Sequence, residues 1–211
     1  MKKILLTAAA LMLVAATAQA ALVVENGSFE LPDLGASTWA WLYVGTTQEG
    51  WKNHHGETFW QSPSNYGWEI GDAADGDQVL GVRQGARVSQ LIGTVEAGET
   101  DITVSFAHAL QDGMVAPPNI RVLLVDESGW GVIAGITDLT GSSSSSWTTG
   151  SFTAYDVPVG TSVRLWFDTG GSSSAAVLFD NFAVSAVPEP ATMGLLGIGG
   201  FLAFAVRKLR M

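Results

Sequence analysis

The chain has 211 residues, no cysteine and a formal net charge of −10, and 47% of its residues are hydrophobic. No disulfide can staple it and no thiol can act as a nucleophile, so its core has to be held by apolar burial. The acidic balance argues against nucleic acid as a partner, because such a surface repels phosphate backbones.

At the start, Lys2 and Lys3 precede an almost unbroken apolar stretch, Ile4 to Ala18. Ala18-Gln19-Ala20 has the small-x-small pattern that signal peptidase accepts. Residues 1–20 are therefore expected to be a signal peptide, an apolar helix cleaved before Ala21; a buried N-terminal helix is the alternative. Residues 21–187 then form one exported domain with 19 acidic and five basic side chains, net −14. A surface of that sign suits neutral sugars or cations.

The first third of this domain is rich in aromatic residues: Trp39, Trp41, Tyr43, Trp51, Trp60, Tyr66 and Trp68. Alternation in "TWAWLYVG" puts Trp39, Trp41 and Tyr43 on one face of a strand. Aromatic rings stack on the C–H faces of sugars, with Gln48, Asn53, Gln61, Asn65 and Glu69 as polar neighbours for the hydroxyls. Tryptophans in sandwiches more often fill cores. Trp51 and Trp60 flank the polar "KNHHGET" and are the expected ligand-binding pair. His54 and His55 are adjacent and point opposite ways on a strand, so a zinc site is not expected. "GDAADGDQ" lacks EF-hand spacing and reads as a solvated hairpin turn.

From there the pattern is β. "DITVSFAHAL" sets Ile102, Val104 and Phe106 against Thr103 and Ser105, and "SVRLWFDT" sets Val163, Leu165 and Phe167 against Arg164, Trp166 and Asp168. A period of two marks half-buried strands. "NIRVLLVDE" is continuously apolar, as a covered central strand would be. "WGVIAGIT", "WTTGSFTAY" and "AAVLFDNFAV" add further strands. "EAGET" and "DESGWG" have turn chemistry, and "GSSSSS" and "TGGSSS" read as loop tips. His108 continues the inward alternation of Phe106. The expected fold is all-β, an antiparallel two-sheet jelly-roll sandwich.

The domain opens with "LVVENGSFE" and closes with "LFDNFAVSAVPEP". With the inner segment from Asp75 to Ala109, this pairing resembles the galactose-binding-like β-sandwich class, which includes many carbohydrate-binding modules. The matching positions are Asn26, Gly27, Phe29 and Glu30, with Asp180 and Asn181. The resemblance implies that first and last strands lie side by side, and that Glu30 and Asp180 help hold a structural Ca²⁺ at the sheet edge. Alternatively these carboxylates bond backbone amides where the strands meet.

The sequence has no Gly-x-Ser-x-Gly elbow, no His-Glu-x-x-His and no phosphate-cradling glycine loop. The expectation is a non-catalytic module that binds or associates with exopolysaccharide. The alternatives are a glycosidase using Glu57 and Glu69, or a structural matrix protein without a specific ligand.

Residues 188–211 begin with Pro188-Glu189-Pro190, continue through the uncharged stretch 191–206, and end with Arg207, Lys208 and Arg210. As a helix the stretch would span roughly 24 Å, short of the ~30 Å hydrocarbon core. The basic cluster acts as a stop that stays on the cytoplasmic side. Pro-Glu-Pro, short hydrophobic helix and basic end resemble the PEP-CTERM sorting signal. That resemblance implies export through the inner membrane of a Gram-negative bacterium and transient anchoring. Exosortase, a membrane peptidase, would then cleave near Pro188–Pro190 and leave the domain at the cell surface or in the extracellular matrix.

Overall fold

The alternation read at residues 102–106 and 163–167 is the one the backbone adopts. Ile102, Val104 and Phe106 are buried while Thr103 and Ser105 are half-exposed; Val163, Leu165 and Phe167 repeat the pattern. The structure, a computed structural model, describes residues 22–34, 39–62, 72–83, 85–111, 119–139, 146–170 and 176–187. Residues 1–20, expected to be a signal peptide, the Pro188-Glu189-Pro190 motif, the uncharged stretch 191–206 and the basic Arg207, Lys208 and Arg210 lie outside these residues. Among the described residues no helix is long and apolar enough to cross a membrane.

The strands are β1 (Trp39–Leu42), β2 (Thr47–Gln48), β3 (Trp51–His55), β4 (Thr58–Gln61), β5 (Val79–Arg83) and β6 (Arg87–Thr94). They continue with β7 (Asp101–Leu110), β8 (Ile120–Asp126), β9 (Val132–Ile136), β10 (Thr148–Ala154), β11 (Ser162–Thr169) and β12 (Ala176–Val187). They form two six-stranded sheets, β1-β4-β5-β12-β7-β10 and β2-β3-β6-β11-β8-β9, here called the first and second sheets. Every pairing is antiparallel. This is the expected two-sheet sandwich.

Aromatic rings fill the centre. Phe167 stacks on Phe182 at 4.5 Å and on Phe179 at 5.1 Å, and Phe106 stacks on Phe182 at 5.1 Å. Phe179 and Phe182 are three apart and would face opposite sides of a regular strand. A register shift between Asp180 and Ala183, with Asn181 at φ 50°, inserts the extra residue that turns both rings inward. The opening segment docks on this bulge: Phe182 N donates to Gly27 O at 2.9 Å, and Phe29 packs on Trp51 and Phe182. A Cβ at Gly27 would sit 2.2 Å from Phe182 O, so only glycine permits that approach.

Candidate functional site

Trp51 and Trp60, expected to bind ligand, are fully buried. Trp51 lies among Phe29, Phe167 and Phe182, and its Nε1 donates to Asn26 O at 3.2 Å. Trp60 stands one residue from Phe59 on β4 and takes the inward face, in register with Leu80. Both are core residues, and the polar "KNHHGET" between them does not set their exposure. Asn53 is also buried; its Nδ2 donates to Leu42 O and Gly56 O. Tyr66, Trp68, Asn65 and Glu69 lie outside the described residues.

The exposed aromatic surface is built by the other residues of that region. On the outer face of the first sheet, Trp39 pairs with Gln61 across β1 and β4, and Trp41 pairs with Phe59, which pairs with Gly81 on β5. A Cβ at Gly81 would lie 2.3 Å from the Phe59 ring, so the missing side chain lets that ring lie across β5. Trp39 meets Trp41 edge-on at 5.1 Å, and Trp41 meets Phe59 at 5.6 Å. The Arg83 guanidinium sits over Trp41 and Phe59 at 5.7 and 5.5 Å and pairs with Glu57 at 2.7 Å. The other half of this face is covered: Val79, Ala109 and Leu178 pack under Ala73 and Trp147, whose Nε1 donates to Asp72 O.

A hollow of about 250 Å³ opens at the uncovered end, lined by Trp39, Trp41, Phe59, Gln61, Arg83 and Gln111. A second of about 340 Å³ continues past Trp41 toward Tyr43 and Glu57. Trp39 is 44% exposed and Tyr43 68%. Two buried polar atoms of the first hollow, Arg83 Nε and Gln111 Oε1, have no hydrogen-bond partner among the described residues. Exposed rings beside unmet donors and acceptors form a surface that can take a flat, hydroxylated ligand.

Glu30 and Asp180 stand on either side of the turn at residues 75–78. Glu30 Oε1 accepts from Asp77 N and Gln78 N at 3.0 and 2.9 Å; Asp180 Oδ2 accepts from Asp75 N at 2.8 Å and Oδ1 from Asn181 N at 2.6 Å. The "GDAADGDQ" turn is thus pinned by two carboxylates and is no free hairpin. Asp180 is fully buried, and desolvation pushes its carboxyl up to about 7 against the pull of these amides. Asp180 Oδ1, Asp180 Oδ2 and Glu30 Oε1 thus bond backbone amides where the opening and closing segments meet, and a Ca²⁺ here would have to share those oxygens. Among the described residues no three His, Cys, Asp or Glu side chains gather, so backbone carbonyls would have to complete the shell.

The histidines are structural. His54 Nε2 bonds Ser89 Oγ at 2.7 Å, His55 Nδ1 bonds Gly85 O at 2.8 Å, and His108 is buried beside Phe106, its pKa lowered by desolvation.

The family model of the PEP-CTERM protein-sorting motif matches residues 186–210. The chain carries that sorting motif. The PEP-CTERM motif marks a protein for export and membrane-anchored sorting in Gram-negative bacteria, with processing by exosortase. No curated protein matches the sequence. Among solved structures, the domain is similar to a cyclase from Fischerella sp. TAU in complex with 4-(1H-indol-3-yl)butan-2-one: TM-score 0.64 and 19% identity, over 81% of this chain and 98% of that one. It is also similar to a CBM4 structure, with TM-score 0.48 and 19% identity over 78% and 99% of the two chains. A third is the CBM22-1 xylan-binding domain of Paenibacillus barcinonensis Xyn10C, with TM-score 0.44 and 19% identity over 74% and 99%.

The cyclase likeness corrects one expectation. Missing nucleophile and metal motifs led to a non-catalytic reading, yet the same sandwich fold serves enzymes in those proteins. Motif absence excludes only the chemistries those motifs perform, and a fold does not fix whether its bearer catalyses.

Proposed function

We propose that this PEP-CTERM protein delivers a polysaccharide-binding sandwich to the cell surface or extracellular matrix, and that the cleft of Trp39, Trp41 and Arg83 is where it grips a neutral glycan. The observation that carries this reading is the exposed Trp39 ring set edge-on against the half-buried Trp41, beside the partly exposed Arg83 guanidinium. A sugar ring stacks on Trp39 and shields it from water, while its hydroxyls meet the Arg83 guanidinium, whose side chain is 40% exposed, and the polar Gln61 and Gln111 that line the hollow. Arg83 is held flat by two rings and by Glu57, so little side-chain freedom is lost when a hydroxyl binds. Residues 1–20 serve as the signal peptide, and Pro188-Glu189-Pro190 as the exosortase cleavage motif. Arg207, Lys208 and Arg210 stop transfer, and Ca²⁺ at Glu30 and Asp180 ties the turn at residues 75–78 to the bulge.

A glycan array on the full-length protein tests the ligand. Binding to neutral polysaccharides that drops about tenfold in Trp39→Ala and recovers in Trp39→Phe is expected, given the worth of one aromatic stack; equal binding by all three proteins would refute the site. Mass spectrometry of the protein from its native host tests the sorting: a C-terminus near Pro190 is expected, and one at Met211 argues for a retained anchor.

A further inference from the structure

Residues 21–187 contain five basic side chains, and four of them share one surface. Strand order in the second sheet brings three outward rows together: Lys52–Ser89–Trp166–Leu123, Arg87–Asp168–Arg121 and Leu91–Arg164–Val125. The core-facing Leu165 and Phe167 alternate with these rows, which places all four cations on the outer face, away from the Trp39 cleft.

Two of the cations lie at a hollow of about 360 Å³ whose lining includes Arg87, Arg121, Trp130, Val132, Trp166 and Asp168. Trp130 stands on the turn between β8 and β9, 51% exposed, and meets Trp166 edge-on at 5.5 Å. His54 lies against Trp166 at 4.9 Å and braces that ring. Arg164 is already engaged, with both Glu127 oxygens and with the Trp130 face at 5.7 Å. Arg87 and Arg121 differ: both converge on one buried carboxylate, Asp168, which cannot balance two guanidinium groups. Their side chains are 54% and 41% exposed, and Arg121 Nε has no hydrogen-bond partner among the described residues. A site with surplus positive charge on a strongly acidic domain selects for a local anion, because the remaining acidic charge is screened beyond about 8 Å at physiological salt. The guanidinium fork matches a carboxylate, and two tryptophans suit a sugar ring.

We propose that the outer face of the second sheet is a second binding site, for a carboxylate-bearing polysaccharide, with a ring on Trp130 and Trp166 and its carboxylate on Arg87 and Arg121. The site is independent of the Trp39 cleft and its neutral ligand. Titration calorimetry of the full-length protein with an oligogalacturonate, and with the same oligomer after carboxyl reduction, tests it. Binding of the acidic oligomer alone is expected, weakened by added salt and about tenfold weaker in Trp130→Ala and in Arg87→Gln. Arg87→Lys should retain part of the affinity, and Trp39→Ala all of it. Both altered side chains are exposed, and an unchanged melting temperature checks that the variants fold. Four results would overturn the proposal: no binding, equal binding of the reduced oligomer, full affinity in Trp130→Ala and Arg87→Gln, or loss of the acidic ligand in Trp39→Ala. Displacement by double-stranded DNA at lower concentration would reassign the face to nucleic acid.

Discussion

Asp180 should make this fold less stable as the pH rises from acid to neutral. Its carboxyl is fully buried and moved from 3.8 to about 7, chiefly by desolvation, so the folded state holds a proton that the unfolded chain releases. The stability Asp180 provides is complete below 3.8, declines as pH rises toward 7, and stays low above that. At about 1.36 kcal/mol per pH unit, the whole loss is roughly 4 kcal/mol, of which about 2–3 kcal/mol falls between pH 5 and pH 8. For a domain of this size that corresponds to a fall in melting temperature of about 5–10 °C. His54 and His108, both lowered, act in the opposite direction by favouring the neutral form, so the raw pH profile mixes the two. Comparison with Asp180→Asn separates them. The variant loses one backbone amide's acceptor, a cost of about 1–2 kcal/mol that does not depend on pH, and its melting temperature lacks the Asp180 decline. The assay is thermal unfolding of both proteins in EDTA at pH 5 to 8. Parallel curves for wild type and variant would refute the buried, proton-holding carboxyl.

Calcium should abolish that decline, since a divalent cation at Glu30 and Asp180 stabilises the ionised carboxylate; melting at pH 8 with millimolar calcium and with EDTA checks it, and identical melting temperatures would remove calcium from the account. Trp51→Ala should destabilise by about 3–5 kcal/mol while the remaining folded protein keeps its glycan affinity, because Trp51 fills the aromatic core. Gly81→Ala should cost about 1–3 kcal/mol and also weaken neutral-glycan binding, because the new methyl displaces the Phe59 ring beneath Trp41 and Arg83. Denaturant melts and calorimetry on the same preparations read both effects.

Strand identity is legible where one face is buried, as in β7 and β11, because alternation is the direct imprint of a two-sided environment. The meeting of the opening and closing segments is legible too: Gly27, Phe29, Asp180 and Asn181 come together at the β12 bulge. Exposure of individual tryptophans is not. Neighbours in sequence made Trp51 and Trp60 look accessible, but strand parity and the phenylalanine cluster decide their burial. Trp39 and Trp41 form the outer platform because β1 is an edge strand, a fact set by sheet order. The basic face is hidden for the same reason. Lys52, Arg87, Arg121 and Arg164 are scattered singly along the chain, and only the order β3-β6-β11-β8 joins them.

The central claim is that a neutral glycan lies on Trp39. Oxidative footprinting with mass spectrometry, run with and without saturating neutral polysaccharide, measures this ring by ring. Trp39 should become protected while Trp130 on the opposite face, 51% exposed against 44% for Trp39, is oxidised as before. Unchanged oxidation of Trp39 with the polysaccharide bound would contradict it.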